Sequence, residues 1–184
     1  MEPAPTSRDR GPLVVLMGVA GCGKTTVGRA VALALAAPFV DADDLHPPAN
    51  KARMAQGLPL DCDHRGPWLD AVHARIVAGS HDRRGVVVAC SALKQTYRER
   101  LAKDLHQVVF VHLQADRSTL VQRLQQRVGH FFPAALLDSQ LATLEPLSGP
   151  PGEGLAVDAT LPLDAVVTAV IDGLAAHRRR RQTP

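Results

Sequence analysis

The chain has 184 residues, enough for one domain with a substantial core and too few for two. Hydrophobic residues make up 46% of it and aromatic residues only 3%, so the core must be built from Ala, Val and Leu, which favours alternating strands and helices. The net charge is +3, but without the run Arg178 to Arg181 the count is 17 basic against 18 acidic residues, which argues against a nucleic-acid partner.

Cysteine usage and hydropathy indicate the compartment. The three cysteines are odd in number and include no C-x-x-C pair, which argues for a reducing environment rather than disulfides or a zinc site. The first twelve residues lack the apolar core of a signal peptide, and no window approaches the length of a membrane span. We therefore expect a soluble cytoplasmic protein with no membrane partner.

Apolar runs of strand length alternate with stretches of helical periodicity along the chain. This alternation predicts an α/β fold, in which a parallel five-stranded sheet is covered by helices on both faces. The predicted strands are 13–17, 39–41, 85–90, 108–113 and 155–157. The predicted helices are 24–37, 49–56, 67–78, 94–104, 117–126, 133–143 and 163–176.

The pattern predicts a single domain over residues 11–177. The ends, 1–10 and 178–184, are predicted to be disordered tails, because a run of arginine at a chain end is typical of a solvated segment. The Gly/Pro-rich interval 147–154 is predicted to be a surface loop before the last strand.

Residues 18–25, GVAGCGKT, follow the first predicted strand and open the first predicted helix. They match G-x-x-x-x-G-K-[ST], the phosphate-binding P-loop, whose glycines let backbone N–H groups turn toward phosphate oxygens at a helix N-terminus. Lys24 is expected to reach the β- and γ-phosphates of ATP, and the Thr25 hydroxyl to bind Mg²⁺. The predicted nucleotide site is Gly18, Val19, Ala20, Gly21, Cys22, Gly23, Lys24, Thr25 and Thr26.

The second predicted strand runs into DADD, so Asp41 and Asp43 lie at its carboxyl end, beside the P-loop of a doubly wound sheet. One carboxylate could hold a magnesium-bound water, and the other could accept the proton of an attacking hydroxyl. The alternative is that these aspartates only cap the helix that follows.

The third predicted strand ends at Cys90 instead of the aspartate expected of a motor or switch NTPase, which weakens both of those readings. After it, Lys94 and Arg98 are one helical turn apart and could grip an anionic substrate or form an ordinary exposed face. Arg123 and Arg127 show the same spacing before Gly129, a layout typical of a mobile lid that closes over a transferring phosphoryl group. Surface arginines are common, so this second pair also leaves an exposed face open.

Several segments together resemble the gluconokinase family, the ATP-dependent kinases that make 6-phosphogluconate. The resemblance covers Leu13 to about Ile171, and it implies a nucleoside-monophosphate-kinase-like P-loop fold with a doubly wound sheet and a short helical lid at about 123–143. It also implies in-line transfer from Mg-ATP to the terminal hydroxyl of D-gluconate, and a homodimer. The segments are MGVAGCGKTT, DADDLHPPANKARMAQGLPL, RGPWL, CSALKQTYRERL and GHFFPAALLDSQLATLEPL.

The resemblance also implies residue roles. Asp43 is the expected base, Asp41 joins Thr25 at the metal, and Arg127 joins Lys24 and Asp43 as a catalytic residue. Arg123 and Arg127 are expected to bind the nucleotide. The expected substrate residues are Asp43, His46, Arg53, Arg65, Lys94, Arg98 and His130.

One departure from the family concerns a D-x-D-R pattern, where this chain reads Cys62, Asp63, His64 and Arg65. The acidic residues of this chain are instead Asp61 and Asp63. If those positions only cap a helix that begins near Trp68, activity survives; if they bind the polyol, affinity or sugar preference changes. The competing hypotheses are another small-molecule P-loop kinase of the shikimate-kinase type, and a nucleotide-dependent binding or switch protein.

Overall fold

Strands and helices alternate along the chain in the computed structural model, which describes residues 11–58, 60–105, 107–126, 134–147 and 154–182. A 3-10 helix at Ala42–Leu45 follows the second strand. The strands are β1 (Leu13–Met17), β2 (Phe39–Asp41), β3 (Val86–Ala89), β4 (Val108–Gln114) and β5 (Gly154–Asp158). The α-helices are α1 (Lys24–Ala34), α2 (Pro48–Ala55), α3 (Cys62–His81), α4 (Gln95–Leu101), α5 (Arg117–Gln125), α6 (Ala134–Thr143) and α7 (Leu163–Gln182).

The five strands form one parallel sheet in the order β2-β3-β1-β4-β5. The central strand is β1, whose Leu16 is in register with Ala89 of β3 and Val111 of β4. The predicted parallel five-stranded α/β fold is therefore confirmed. Because parallel strands present their carboxyl ends at one edge, the segments after β1, β2 and β3 converge there.

The sheet is buried on both faces, and β1 divides the core between them. Val14 and Leu16 pack with side chains of α1, α5 and α7, whereas Val15 and Met17 pack with α3 and α4 on the opposite face. All five residues of β1 are buried. A continuous apolar run of this kind is what a central parallel strand requires, because neither of its faces meets water.

Helix α3 begins earlier than the sequence predicts, at Cys62 instead of residue 67. Its start is fixed by Asp61, whose carboxylate accepts a hydrogen bond from the His64 backbone N–H at 2.9 Å. This is an N-cap, and it satisfies one of the amides that a first turn leaves unpaired. Pro67 therefore lies inside the helix, and its missing N–H does not mark the helix start.

Helix α7 differs at its other end. The predicted disordered tail at 178–184 is wrong for residues 178–182, because α7 continues through Gln182. Arg179, Arg180 and Arg181 occupy its last turn, where cations interact favourably with the negative end of the helix dipole. The tail predicted at residues 1–10 lies outside the described residues. No helix in the described ranges combines the length and apolarity needed to cross a membrane.

Candidate active site

The P-loop connects the end of β1 to the start of α1, and its three glycines adopt backbone angles that other residues avoid. Gly18 has φ 141°, Gly21 has φ 84° and Gly23 has φ 96°. A Cβ atom on Gly18 would lie 2.9 Å from both the Leu113 carbonyl oxygen and the Cys22 Sγ. Glycine is therefore required at this position by conformation and by space.

Lys24 is the first residue of α1, and its side chain folds back over the loop. Its Nζ donates hydrogen bonds to the carbonyl oxygens of Gly18 and Val19, each at 3.0 Å. The nearest described acceptors are thus neutral dipoles instead of a carboxylate. Its one other contact is the Cys22 Sγ at 3.9 Å, so among the described residues no anion neutralises this ammonium group, and it remains attractive to a polyanion that arrives at the same loop.

Thr25 and Asp41 are joined directly. The Thr25 hydroxyl donates to Asp41 Oδ2 at 2.8 Å, and the other carboxylate oxygen accepts from the Asp43 backbone N–H at 3.1 Å. Asp41 thus caps the 3-10 helix, as the capping alternative predicts, and it also accepts a hydrogen bond from the P-loop; its role at the metal stays a prediction. A hydroxyl whose proton is donated to a carboxylate keeps its oxygen lone pairs for a hard cation such as Mg²⁺.

Asp43 lies in the 3-10 helix instead of on the strand, and its side chain is exposed. Asp43, Lys24 and Asp41 all lie close enough to Cys90, the residue after β3, for their charges to act on its thiol. Burial, reinforced by the aspartates, raises the pKa of this thiol to about 12, so it is neutral at pH 7. The carboxylates near the P-loop are therefore those of the segment after β2.

Beyond Asp43, the site continues along two stacked rings. His46 lies on Trp68 with ring centroids 4.3 Å apart and planes 10° from parallel, and Trp68 Nε1 donates to the Ala42 carbonyl at 2.7 Å. Burial, followed by the charges of Lys51 and Arg65, lowers the pKa of His46 to about 4. The ring is thus neutral at pH 7, and its buried Nδ1 has no hydrogen-bond partner among the described residues.

Two cations meet at Tyr97. Arg65 Nη1 donates to the Tyr97 hydroxyl at 3.1 Å, its Cζ lies 5.6 Å from the ring centroid, and Lys94 Nζ lies 5.9 Å from the same centroid. Neither cation forms an ion pair with a carboxylate in the described part of the chain. The structure brings Arg65 and Lys94 together, as the predicted sugar-acid site requires.

Arg98 has a different environment from the one that its spacing predicts. Lys94 lies before α4 with an extended backbone, and Arg98 is only 3% exposed. The donors of its guanidinium are used on the Gln95 side chain and on four backbone carbonyls, those of Ala92, Leu93, Glu145 and Pro146. No donor remains for a substrate carboxylate, so the prediction of Arg98 as a substrate ligand is wrong on geometric grounds.

Next to Cys62 and His64, the positions that depart from the family pattern, Asp61 caps helix α3. Asp61 accepts from the His64 backbone N–H, and its carboxylate also contacts His64 Nδ1 at 2.5 Å. Asp63 is exposed in the first turn of α3, where negative charge is favourable. The capping alternative therefore describes Asp61, and Arg65 follows it on the same turn.

The remaining predicted residues are less central. Arg123 on α5 is half-buried and donates to the Ala159 carbonyl at 2.7 Å, at the end of β5. Arg53 is half-buried on α2, and Thr26 is exposed on α1. The predicted lid residues Arg127 and His130 lie outside the described residues.

Sequence reasoning missed Trp68 and Tyr97 as organisers of the site. Both are buried; Trp68 connects α3 to the segment after β2, and Tyr97 connects α4 to Arg65 of α3. A signal was available, because they are the only tryptophan and the only tyrosine in a chain with 3% aromatic residues. An amphipathic aromatic ring with a hydrogen-bonding end suits such a boundary between core and site.

Together, the P-loop, the Thr25–Asp41 pair and the two cations at Tyr97 on a parallel sheet define a P-loop kinase of the small-molecule type. The family described as "AAA domain" matches residues 13–147. Gluconokinase of Gluconobacter oxydans is 48% identical over 132 residues, 72% of this chain and 74% of that protein. A crystal structure of a gluconokinase from Sinorhizobium meliloti matches with a TM-score of 0.82 at 41% identity, covering 94% of this chain and 98% of its own.

The chain belongs to the gluconokinase family. A solved shikimate kinase from Acinetobacter baumannii matches with a TM-score of 0.55 at 17% identity, covering 91% of this chain and 95% of its own. This second likeness shows the shared fold alone.

The buried position of Arg98 predicts a stability defect instead of a binding defect. Replacing Arg98 with Lys removes two of five N–H donors and the planar fork, so that backbone carbonyls lose their partners, at a cost of roughly 2–4 kcal/mol in the free energy of unfolding. Urea denaturation measures this cost, with Arg75→Lys as the control, because Arg75 is exposed on α3. If stability were unchanged and the KM for the substrate were higher, Arg98 would again be assigned as a substrate ligand.

The lowered pKa of His46 predicts a pH-dependent loss of stability. Since the folded protein binds this proton less readily than the unfolded chain, stability falls as the pH decreases from about 6.5 toward 4, by up to ~3 kcal/mol from this group. His46→Gln should flatten that part of the profile measured by denaturant titration, whereas His81→Gln, an exposed position, should not. Parallel profiles for wild type and His46→Gln would contradict the burial of a neutral ring.

Proposed function

We propose that this protein catalyses the ATP-dependent phosphorylation of D-gluconate to 6-phospho-D-gluconate. The observation that carries the proposal is the position of two cations, Arg65 and Lys94, which meet at Tyr97 and form no ion pair with a carboxylate in the described part of the chain. A sugar acid needs such a cationic anchor for its carboxylate, and a guanidinium suits a planar carboxylate. Family membership supports gluconate as the particular acid.

The nucleotide is proposed to bind across Gly18 to Thr26, with its phosphates at the loop amides and at Lys24. Arg123 of α5 is retained as a proposed nucleotide residue; its guanidinium donates to the Ala159 carbonyl, just after β5. The predicted contact of Arg127 with the nucleotide and the transferring group remains part of the proposal.

Thr25 and Asp41 fit a magnesium site. Their hydroxyl and carboxylate oxygens are already 2.8 Å apart, and hard oxygen ligands are those that Mg²⁺ prefers. The ion, when bound with ATP, would supply neutralisation of the phosphate charge. Asp41 would hold it through the Thr25 hydroxyl or through a bound water.

Asp43 is proposed as the base that accepts the proton of the attacking hydroxyl. It is exposed toward solvent in the 3-10 helix, one residue beyond Ala42, whose carbonyl is fixed by Trp68. Because that anchor and the Asp41 cap hold the short helix, the carboxylate has a defined position for orienting a hydroxyl. Lys24 would meanwhile stabilise charge on the transferring phosphoryl group.

The sugar acid is proposed to lie between Asp43 and Tyr97. Arg65 and Lys94 would bind its carboxylate, and His46 remains a proposed substrate residue next to them. Arg53 and His130 remain proposed substrate residues. We also retain the homodimer and the cytoplasmic location as proposals.

A panel of acceptors tests the activity. With Mg-ATP, ADP release should require D-gluconate, should fail with shikimate, and should be weak with sorbitol, which has a matching chain of hydroxyls but no carboxylate. Lys24→Ala should lower the rate on the order of a thousandfold while the fold persists, as expected for loss of a main electrostatic contact. Shikimate-dependent turnover would favour the other kinase class, and ATP hydrolysis without any acceptor would favour a switch protein.

The two aspartates can be distinguished by metal dependence. Asp43→Asn removes a proton acceptor and should lower kcat about a hundredfold or more with little change in Mg-ATP binding. Asp41→Asn should instead raise the Mg²⁺ concentration needed for half-maximal rate, and excess metal should partly restore activity. Both changes preserve side-chain size. If excess Mg²⁺ rescues Asp43→Asn and leaves Asp41→Asn unaffected, the two roles are reversed.

A further inference from the structure

The P-loop receives a hydrogen bond from a helix far away in the sequence. The backbone N–H of Ala20 donates to Gln140 Oε1 of α6 at 2.7 Å, although 120 residues separate the two. A backbone N–H can only donate, so the side-chain atom that faces it must be the amide oxygen. Ala20 is the third residue of the phosphate-binding sequence and lies before Lys24.

This bond is short compared with the other backbone hydrogen bonds of the loop. Cys22 N–H reaches the Val19 carbonyl at 3.4 Å, and Gly18 N–H reaches the Ser91 carbonyl at 3.2 Å. The Lys24 contacts, at 3.0 Å, are made by a side chain that ATP would attract away. Gln140 therefore supplies the shortest described constraint on the backbone of the loop.

Gln140 is itself held on a well-anchored helix. Leu137 of α6 is fully buried, and Leu141 and Leu144 pack against the same apolar cluster. After α6, the Glu145 N–H donates to the Leu93 carbonyl at 2.9 Å, and the Glu145 carboxylate accepts from the Gln95 N–H at 2.5 Å. The side chain thus reaches the loop from a fixed support.

The segment after α6 also fixes the turn that precedes Lys94. Arg98 donates to the carbonyls of Glu145 and Pro146 and, on its other side, to those of Ala92 and Leu93. Leu93 precedes Lys94, so one segment, Gln140 to Pro146, contacts both the P-loop and the turn that presents Lys94. Rigid contacts of this kind define the distance between two binding regions.

We propose that Gln140 is a positioning residue, which holds the Ala20 peptide so that the P-loop has its phosphate-binding shape before nucleotide arrives. The proposed effect of Gln140 on the loop requires only that the P-loop binds ATP. Its effect on the transfer step also rests on the proposed function. Preorganised donors cost no rearrangement when charge arrives, so loss of the bond should weaken both ATP binding and the transfer rate.

The first test measures the protein without nucleotide. Amide hydrogen exchange at Ala20, followed by NMR, should be protected in the wild type and about tenfold faster in Gln140→Met, which keeps the side-chain length and lacks the acceptor. Gln140→Glu keeps an acceptor and should retain the protection. Gln122→Met is the control, because Gln122 is exposed on α5.

The second test measures binding and turnover. In Gln140→Met, calorimetry should show ATP affinity reduced about tenfold, and the KM for ATP should rise and kcat fall with an unchanged KM for gluconate. Equal exchange at Ala20 in wild type and Gln140→Met would overturn the proposal. Faster exchange throughout the sheet would also overturn it, since that result describes a general loss of stability.

These results are separable from the proposed function. If no sugar acid is phosphorylated, but Gln140→Met still exposes Ala20 and weakens ATP binding, the proposed substrate is wrong and the role of Gln140 stands. If gluconate turnover is normal and the variant binds ATP as the wild type does, the positioning role is wrong and the proposed function stands.

Discussion

The hydrogen bond between Thr25 and Asp41 is the contact on which the rest of the site depends. It joins the first turn of α1 to the end of β2, although β3 lies between β1 and β2 in the sheet. The bond therefore crosses the end of β3, where Cys90 is buried. If an aspartate replaced Cys90, its carboxylate would add a third negative charge beside Asp41 and Asp43. The small neutral thiol of Cys90 avoids this repulsion.

Two aromatic side chains, Trp68 and Tyr97, hold the polar groups that lie next to the Thr25–Asp41 pair and at the proposed sugar-acid site. Trp68 holds the Ala42 carbonyl and stacks on His46, and Tyr97 holds Arg65 beside Lys94. In a core made mainly of Val, Leu and Ala, these two rings combine apolar burial with one polar atom each. Trp68 Nε1 donates to the Ala42 carbonyl and the Tyr97 hydroxyl accepts from Arg65, so the polar atom of each ring has a partner.

Arginines of this chain show how burial decides role. Arg65 is half-buried, with donors remaining beyond its bond to Tyr97, whereas Arg98 uses its guanidinium on the carbonyls of two chain segments. Arg100 binds Asp70 through two hydrogen bonds of 2.7 Å and thereby joins α4 to α3. Arg98 and Arg100 stabilise the framework that positions Arg65, and neither has the environment of a substrate ligand.

The sequence by itself determined the sheet and the phosphate-binding loop, because both depend on local patterns. Apolar runs mark the strands, and the glycines and Lys24 of the loop are specified by spacing and backbone conformation. The early start of α3 at Cys62 and the full length of α7 were missed, since a helix end depends on single hydrogen bonds and weak charge effects. Only the tertiary structure decided which cations face the site. Lys94 and Arg98 are four residues apart, but the carbonyls of Glu145 and Pro146, almost fifty residues further along the chain, accept hydrogen bonds from Arg98. Sequence spacing contains no information about such partners, because they are brought together by the packing of α6 against the sheet.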